Sequence, residues 1–330
     1  MSTRERLWTR TIGTSSPVYT RFPRMRQLLF FFVDGVGLGP ASADNPFAEA
    51  RYPALERLAG QQPWLAPFSP SQSPSRLVRS LDATLGVDGL PQSGTGQATL
   101  LTGINCAEIV GRHFGPFPHS KTHPALNAHN LFRQVQSLSD PSPSVSFANA
   151  FPPQFFRATR RRGTVTTHCC RAAGVPLRDL AALRSRHAIP ADLTGRTWRS
   201  QLGLEVPDRP LSETAEVLLA TARTHAFTLF EYFLTDKVGH ERVDTPPTQI
   251  LGELDRVIGT LTDEMDPERD TLLLTSDHGN LEAGGHTQHT RNPVPLLVYG
   301  WAAPYFADAT DLTDVTPGIV RALRAAHGKA

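Results

Sequence analysis

The chain has 330 residues, 39% of them hydrophobic and 19% charged, with a formal net charge of +2 at pH 7. That length buries a sizeable core, and the near-neutral balance excludes the general affinity for nucleic acid or anionic membrane that a strongly basic chain has. No apolar run reaches the roughly 18 residues that span a bilayer.

The cysteines are Cys106, Cys169 and Cys170. An odd number without metal-ligand spacing argues against a disulfide framework and for a reducing compartment, so the expected location is cytoplasmic. Residues 1–24 carry Arg4, Arg6, Arg10, Arg21 and Arg24 against one acid, Glu5, and lack the apolar centre of a secretory signal. They are expected to add nothing to the fold, either as a frayed tail or as residues upstream of a start at Met25.

The first predicted element is the strand Leu28–Val33, apolar throughout and running into Asp34-Gly35. Gly35, Gly37 and Gly39 let the backbone turn beside whatever Asp34 binds, although Asp-Gly after a strand is commonly a plain turn. Residues 48–59 predict a short helix interrupted at Pro53, residues 69–76 a Ser/Pro/Gln loop, and residues 81–87 another strand. In the stretch Pro91–Gly103, Gln97–Thr102 favours a helix closed by Gly103. Ser93 and Thr95 are both candidate nucleophiles at its N-terminus, where free N–H groups attract an anion. A serine that only caps the helix is the simpler alternative.

From about 104 to 210 the periodicity weakens, and the stretch reads as an inserted cap or substrate region (106–210), with a helix near 130–138. Arg112, His113 and the arginines at 157 and 160–162 are candidates to grip a phosphate or carboxylate. A solvated basic face competes for Arg160–Arg162. His168-Cys169-Cys170 reads as packing.

Regular structure returns at Ser212, read as the N-cap of a helix. The strand 226–233 leads to Thr235-Asp-Lys-Val-Gly-His240, in which Asp236 and His240 share one face of a helical turn. Ile250, Leu254, Val257, Ile258 and Leu261 form the apolar stripe of the next helix. The strand 271–275, continuously apolar at its centre as if buried on both faces, ends in Asp277-His278, with His286 and His289 following. Val294–Tyr299 is the last strand and 316–325 the last helix.

Strands alternating with helices predict an α/β fold with a mainly parallel sheet flanked by helices, its core formed by 25–105 and 211–330. Such sheets bind ligands at the carboxyl ends of their strands. Asp34, Asp236 and Asp277 would meet there, and three gathered carboxylates need cations. With His240, His278 and His289 they make six donors, which suits two divalent ions, Mn²⁺ or Zn²⁺. A metal pair about 4 Å apart is the usual clamp for displacement at phosphorus, and it activates a hydroxyl that is otherwise inert.

Together, Phe32-Val-Asp34-Gly, the Ser93 segment ending in Thr102-Gly103, Asp236-Lys-Val-Gly-His240, Thr275-Ser-Asp-His-Gly-Asn280 and His286–Pro295 resemble the alkaline phosphatase superfamily. The resemblance covers about 27–105 and 212–325. It is closest to the metalloenzyme branch that contains cofactor-independent phosphoglycerate mutase and phosphopentomutase. It implies Asp236, His240 and His289 on a first metal, and Asp34, Asp277 and His278 on a second. Ser93 is then the nucleophile touching that second metal, because the family's nucleophile precedes the Thr-Gly glycine at the Ser93 spacing; Thr95 is held in reserve. His286 is expected beside the ligands, and Asn105 and Lys237 facing the phosphate.

The mutases' large inserted domain and substrate motifs are not matched here. The expected function is therefore a two-metal phosphoesterase acting on a small-molecule phosphate ester through a phosphoserine. A phosphomutase, or a catalytically silent metal-binding scaffold, are the alternatives. No nucleic-acid or membrane partner is expected, and no protein partner can be inferred.

Overall fold

A computed structural model describes residues 26–157 and 163–327. The expectations for residues 1–24 and for Arg160–Arg162 lie outside the described residues.

The strands are β1 (Gln27–Val33), β2 (Ser71–Ser73), β3 (Arg76–Leu81), β4 (Val145–Phe147), β5 (Phe227–Tyr232), β6 (Asp270–Thr275) and β7 (Val294–Gly300). They form one sheet in the order β2-β3-β7-β6-β1-β5-β4. β1 lies between β5 and β6, parallel to both, and every one of its residues is buried. Leu28, Phe30 and Phe32 point into one core, under the helices Ser93–Leu100, Val165–Ala173 and Val315–His327. Leu29, Phe31 and Val33 point into the other, under Pro53–Leu58, Leu211–Ala222 and Pro247–Glu264. A strand covered on both faces has no polar side to show, which is why its sequence reads as an unbroken apolar run.

The sheet is mixed. The parallel arrangement holds across β4, β5, β1 and β6, while β7, β3 and β2 add an antiparallel arm. Part of that arm corrects the expected loop at 69–76, which contains β2 and the start of β3. The expected strand at 81–87 is corrected too. Strand β3 ends at Leu81, where the Asp82 carboxylate accepts from Thr84 N at 2.8 Å, and Leu85 takes a left-handed φ of 55°.

The helix expected to start at Gln97 begins at Ser93, with Gln92 at the N-cap position and no side-chain capping bond. The 212 helix starts at Leu211 with Pro210 as its N-cap, so Ser212 is not the cap. Residues 48–59 hold the end of one short helix, Pro46–Glu49, and all of a second, Pro53–Leu58, each opened by its proline. The stretch 106–210 does not stand apart from the sheet. It supplies edge strand β4, and Leu126, Phe132, Val165 and Cys169 from its helices enter the core of β1.

Candidate active site

Because β5, β1 and β6 run parallel and adjacent, their carboxyl ends share one edge of the sheet. Asp34 follows β1, Asp277 follows β6, and Asp236 lies in the helix Leu234–Gly239 just beyond β5. Residues some 200 positions apart are locked together there. Thr235 Oγ1 donates to Asp34 O at 2.6 Å, and Gly35 N to Asp277 Oδ1 at 3.4 Å. Gly35 has φ +70°, and a Cβ on it would lie 2.9 Å from Asp236 Cβ, so only glycine lets the two strand ends close.

Six side chains meet in two groups. His240 Nε2 is 2.9 Å from His289 Nε2 and 3.3 Å from Asp236 Oδ1, and His289 Nε2 is 3.7 Å from the same oxygen. His278 Nε2 is 3.4 Å from Asp34 Oδ1 and 3.5 Å from Asp277 Oδ2. The His278 and His289 rings stack with centroids 3.7 Å apart, joining the groups. Ser93 Oγ is 2.9 Å from His278 Nε2. Thr95 does not reach the cluster, for its hydroxyl is turned to the Gln92 and Phe114 carbonyls.

Backbone carbonyls fix which nitrogen of each histidine is bare. His240 Nδ1 faces Thr287 O at 2.7 Å, His289 Nδ1 faces Pro91 O at 2.7 Å, and His278 Nδ1 faces Gly279 O at 3.3 Å. A carbonyl only accepts, so each Nδ1 carries the proton and each Nε2 presents a lone pair to the cluster. Two such lone pairs face each other between His240 and His289. Asp34 Oδ1 and Asp277 Oδ2 are buried with no hydrogen-bond partner.

Burial, then the charges of Asp277 and Asp236, holds the Asp34 carboxyl well above its usual range. Burial pushes Asp277 up to about 7. Burial, with His278 beside it, brings His289 down to about 4, and burial also lowers His278. The pocket thus disfavours both bare carboxylate and imidazolium charge, while offering lone pairs that converge. The donor set fits divalent metal ions: Asp236 with His278 and His289, and Asp34 with Asp277 and His278, each bring ligand atoms within 4.8 Å of one another.

Three supporting residues had no role assigned from sequence. The Glu282 carboxylate accepts from Gly37 N, Asn280 N, Thr290 Oγ1 and Asn292 Nδ2 at 2.5–3.0 Å, pinning the loop after β1 to the histidine loop. Gln97 donates to Asp34 Oδ2 at 3.1 Å, one turn beyond Ser93, and Asn280 donates to Asp236 Oδ1 at 3.1 Å. Such partners orient ligand side chains. Glu282 closes the Thr275–Glu282 motif, a signal that sequence reasoning left unused.

Other expected contacts fall elsewhere. The Asn105 amide is spent on Leu85 O at 2.9 Å and on capping Glu108 N, which corrects its expected place at the phosphate. His113 faces Val87 O at 3.2 Å and so ties down the 82–89 turn. Arg112 lies exposed over the Phe114 ring at 5.9 Å, and Arg157 is also exposed. Lys237 Nζ sits 4.5 Å from the Phe233 ring centroid. His286 is exposed on a surface cavity that Val238, Gly239 and Asn280 also line.

Residues 199–327 match the Metalloenzyme superfamily. The 2,3-bisphosphoglycerate-independent phosphoglycerate mutase of Vibrio parahaemolyticus is 31% identical over 120 residues, 34% of this chain and 24% of that protein. The enzyme of the same description from Methanopyrus kandleri is 30% identical over 123 residues, 34% and 28% of the two chains. The match therefore spans about a quarter of the length of these curated relatives.

Two solved structures share the fold over nearly all of the chain. PH0037 protein from Pyrococcus horikoshii is 14% identical with a TM-score of 0.53, covering 93% of this chain and 99% of that one. The alkaline phosphatase of the Antarctic bacterium TAB5 is 12% identical with a TM-score of 0.50, covering 91% and 98%.

Proposed function

From a chain whose residues 199–327 belong to the metalloenzyme superfamily, on an alkaline-phosphatase-like fold, we propose a cytoplasmic two-metal phosphoesterase. It acts on a small-molecule phosphate ester through a phosphoserine at Ser93. The observation that carries this reading is Ser93 Oγ, 2.9 Å from His278 Nε2 where the two donor groups join.

Asp236, His240 and His289 would hold one ion and Asp34, Asp277 and His278 the other, Mn²⁺ or Zn²⁺ by the mixture of imidazole and carboxylate. When bound, they supply positive charge for the phosphoryl oxygens and for the serine oxygen. Ser93 attacks phosphorus in line. Its O–P bond forms as the ester O–P bond breaks, the proton of the Ser93 hydroxyl ending on the departing alcohol, and water then cleaves the phosphoserine to restore the hydroxyl and release phosphate. The Ser93–Leu100 helix aims the hydroxyl, while Gln97 and Asn280 hold the Asp34 and Asp236 carboxylates in place.

A phosphomutase uses the same intermediate but returns the phosphoryl group to another hydroxyl of the substrate. The curated relatives, matched over about a third of the chain, favour that second reading. A silent scaffold accounts less well for a serine seated on the donor cluster. The test is to supply Mn²⁺ or Zn²⁺ with a phosphomonoester and, separately, a diester. Free phosphate and a phosphorylated Ser93 peptide are the expected products, and Ser93→Ala is expected to lower turnover at least about a thousandfold. Unchanged turnover in that variant removes the nucleophile. Isomerisation of a sugar or glycerate phosphate without phosphate release selects the mutase.

A further inference from the structure

We propose that Thr95 is a positioning residue for Ser93, its hydroxyl clamping the peptide that leads into Ser93 against the 112–118 loop. This deepens the phosphoryl-transfer reading and rests on it. Thr95 is fully buried, so its side chain does not touch a substrate. It touches instead the groups that hold the start of the Ser93–Leu100 helix in place.

That helix begins without a side-chain cap, and the amide hydrogens of an uncapped first turn need acceptors from elsewhere. Thr95 N donates to Phe114 O at 2.8 Å, and Phe114 N donates back to Thr95 Oγ1 at 3.2 Å. The two residues form a reciprocal pair between loop and helix, as a capping box does within one segment. The hydrogen of Thr95 Oγ1 reaches Gln92 O at 3.2 Å, with Phe114 O farther off at 3.4 Å. Gln92 O belongs to the peptide unit that carries the Ser93 N–H, so this bond fixes the plane from which Ser93 Cα departs. One hydroxyl thus accepts from the loop and donates to the peptide ahead of Ser93.

The contact has no slack. A Cβ on Gly94 would run into Phe117 O and lie 2.6 Å from Phe114 O, and one on Gly115 would lie 3.3 Å from Gly94 N. The loop backbone is therefore seated directly on the residue after Ser93. Behind the clamp, Thr99 Oγ1 donates to Thr95 O at 2.8 Å and accepts from Cys106 N at 3.1 Å, which ties the same turn to the helix Cys106–Val110. Ser93 Oγ stands 2.9 Å from His278 Nε2, and misplacing a reacting group by about 1 Å can cost about a hundredfold in rate.

The experiment compares Thr95→Val, which keeps the shape and removes the hydroxyl, with Thr95→Ser, which keeps the hydroxyl. Both are measured as zinc-loaded full-length protein turning over phenyl phosphate. Thr95→Val is expected to lower kcat about tenfold, the scale of a lost hydrogen bond, with KM changed less than about twofold. Thr95→Ser is expected to bring kcat back to within about threefold of the wild type. An unchanged kcat in Thr95→Val, equal losses in the two variants, or a loss carried mainly by KM overturns the assignment.

Amide hydrogen exchange, followed by NMR on the zinc-loaded wild type, decides the matter if Thr95→Val does not fold. The Phe114 amide is expected to be protected although it lies in a loop, and exchange at the rate of an open loop overturns the clamp. Where Thr95→Val folds, its Phe114 and Thr95 amides are expected to exchange at least about tenfold faster than in the wild type, while those of β1 and β6 keep their rates. No acceleration, or equal acceleration throughout the chain, overturns the clamp as well. Wild-type protein that turns over no phosphate ester sinks the phosphoryl-transfer reading instead, and the exchange rates still report on the clamp.

Discussion

Glu282 shows how much of this site rests on a side chain that need touch no substrate. Its two oxygens receive four donors from three separate loop segments, at Gly37, Asn280, and Thr290 with Asn292. Glu282→Gln replaces one accepting oxygen with an NH₂ group that faces donors. Hydrogen bonds to a charged group contribute about 1.5–3 kcal/mol each, so the expected loss is about 2–3 kcal/mol in urea unfolding, with weaker metal binding. An unchanged unfolding midpoint would show that the loops hold without this carboxylate. Burial at Glu231 has the opposite character. It raises the carboxyl from its ordinary 4.5 to about 7 in the metal-free protein, so the residue costs stability once ionised.

At the scale of the element, the Ser93–Leu100 helix does two jobs: it carries Ser93, the proposed nucleophile, and it packs against the strand end that carries Asp277. A Cβ at Gly96 would stand 2.9 Å from Asp277 O and 3.1 Å from Asp277 Cβ. Glycine to alanine within a helix ordinarily gains up to about 1 kcal/mol, whereas overpacking a tight contact costs about 1–3 kcal/mol. Because the neighbour is backbone and cannot swing away, the steric cost wins. Gly96→Ala is expected to destabilise the protein by about 1 kcal/mol and to depress turnover more than stability. A stabilised and fully active variant would refute the close approach.

For the whole molecule, the sheet gathers carboxylates at one edge, where the proposed metal ions would offset their repulsion. Chelation is expected to lower the melting temperature. An ion at a hundredfold excess over its dissociation constant adds about 2.7 kcal/mol, a drop of several degrees for a chain of this size. No chelator effect on melting would argue against resident metals.

The pH dependence of the metal-free protein follows from the raised carboxyls. Glu231 and Asp277 each titrate near 7 in the fold, above their ordinary values of 4.5 and 3.8. Their contribution is therefore present below the ordinary values and lost as pH rises through about 7. Glu231→Gln should flatten part of that decline and raise stability at pH 8 by on the order of 2 kcal/mol. A melting profile with the same slope in the variant would contradict it.

The clustering of these acids and histidines was legible in the sequence because short-range chemistry wrote it there. A strand covered on both faces is mostly apolar, so β1 and the centres of β5 and β6 announced themselves, and the acid following each run marked the sheet's carboxyl edge. The Asp-His and His-x-x-His spacings travel with those ends. Strand β3, Arg-Leu-Val-Arg-Ser-Leu, was hidden because half of it is polar and it follows the loop chemistry of Ser-Pro-Ser, and pairing with β2 and with β7, more than 200 residues away, makes it a strand. The sequence by itself determined which acids and histidines lie at the strand ends and which runs are buried. Only the tertiary structure decided that Ser93 rather than Thr95 faces His278 and that Asn105 and His113 serve turns. Direction in space and the competition for each hydrogen bond are properties of packing, and linear spacing does not encode them.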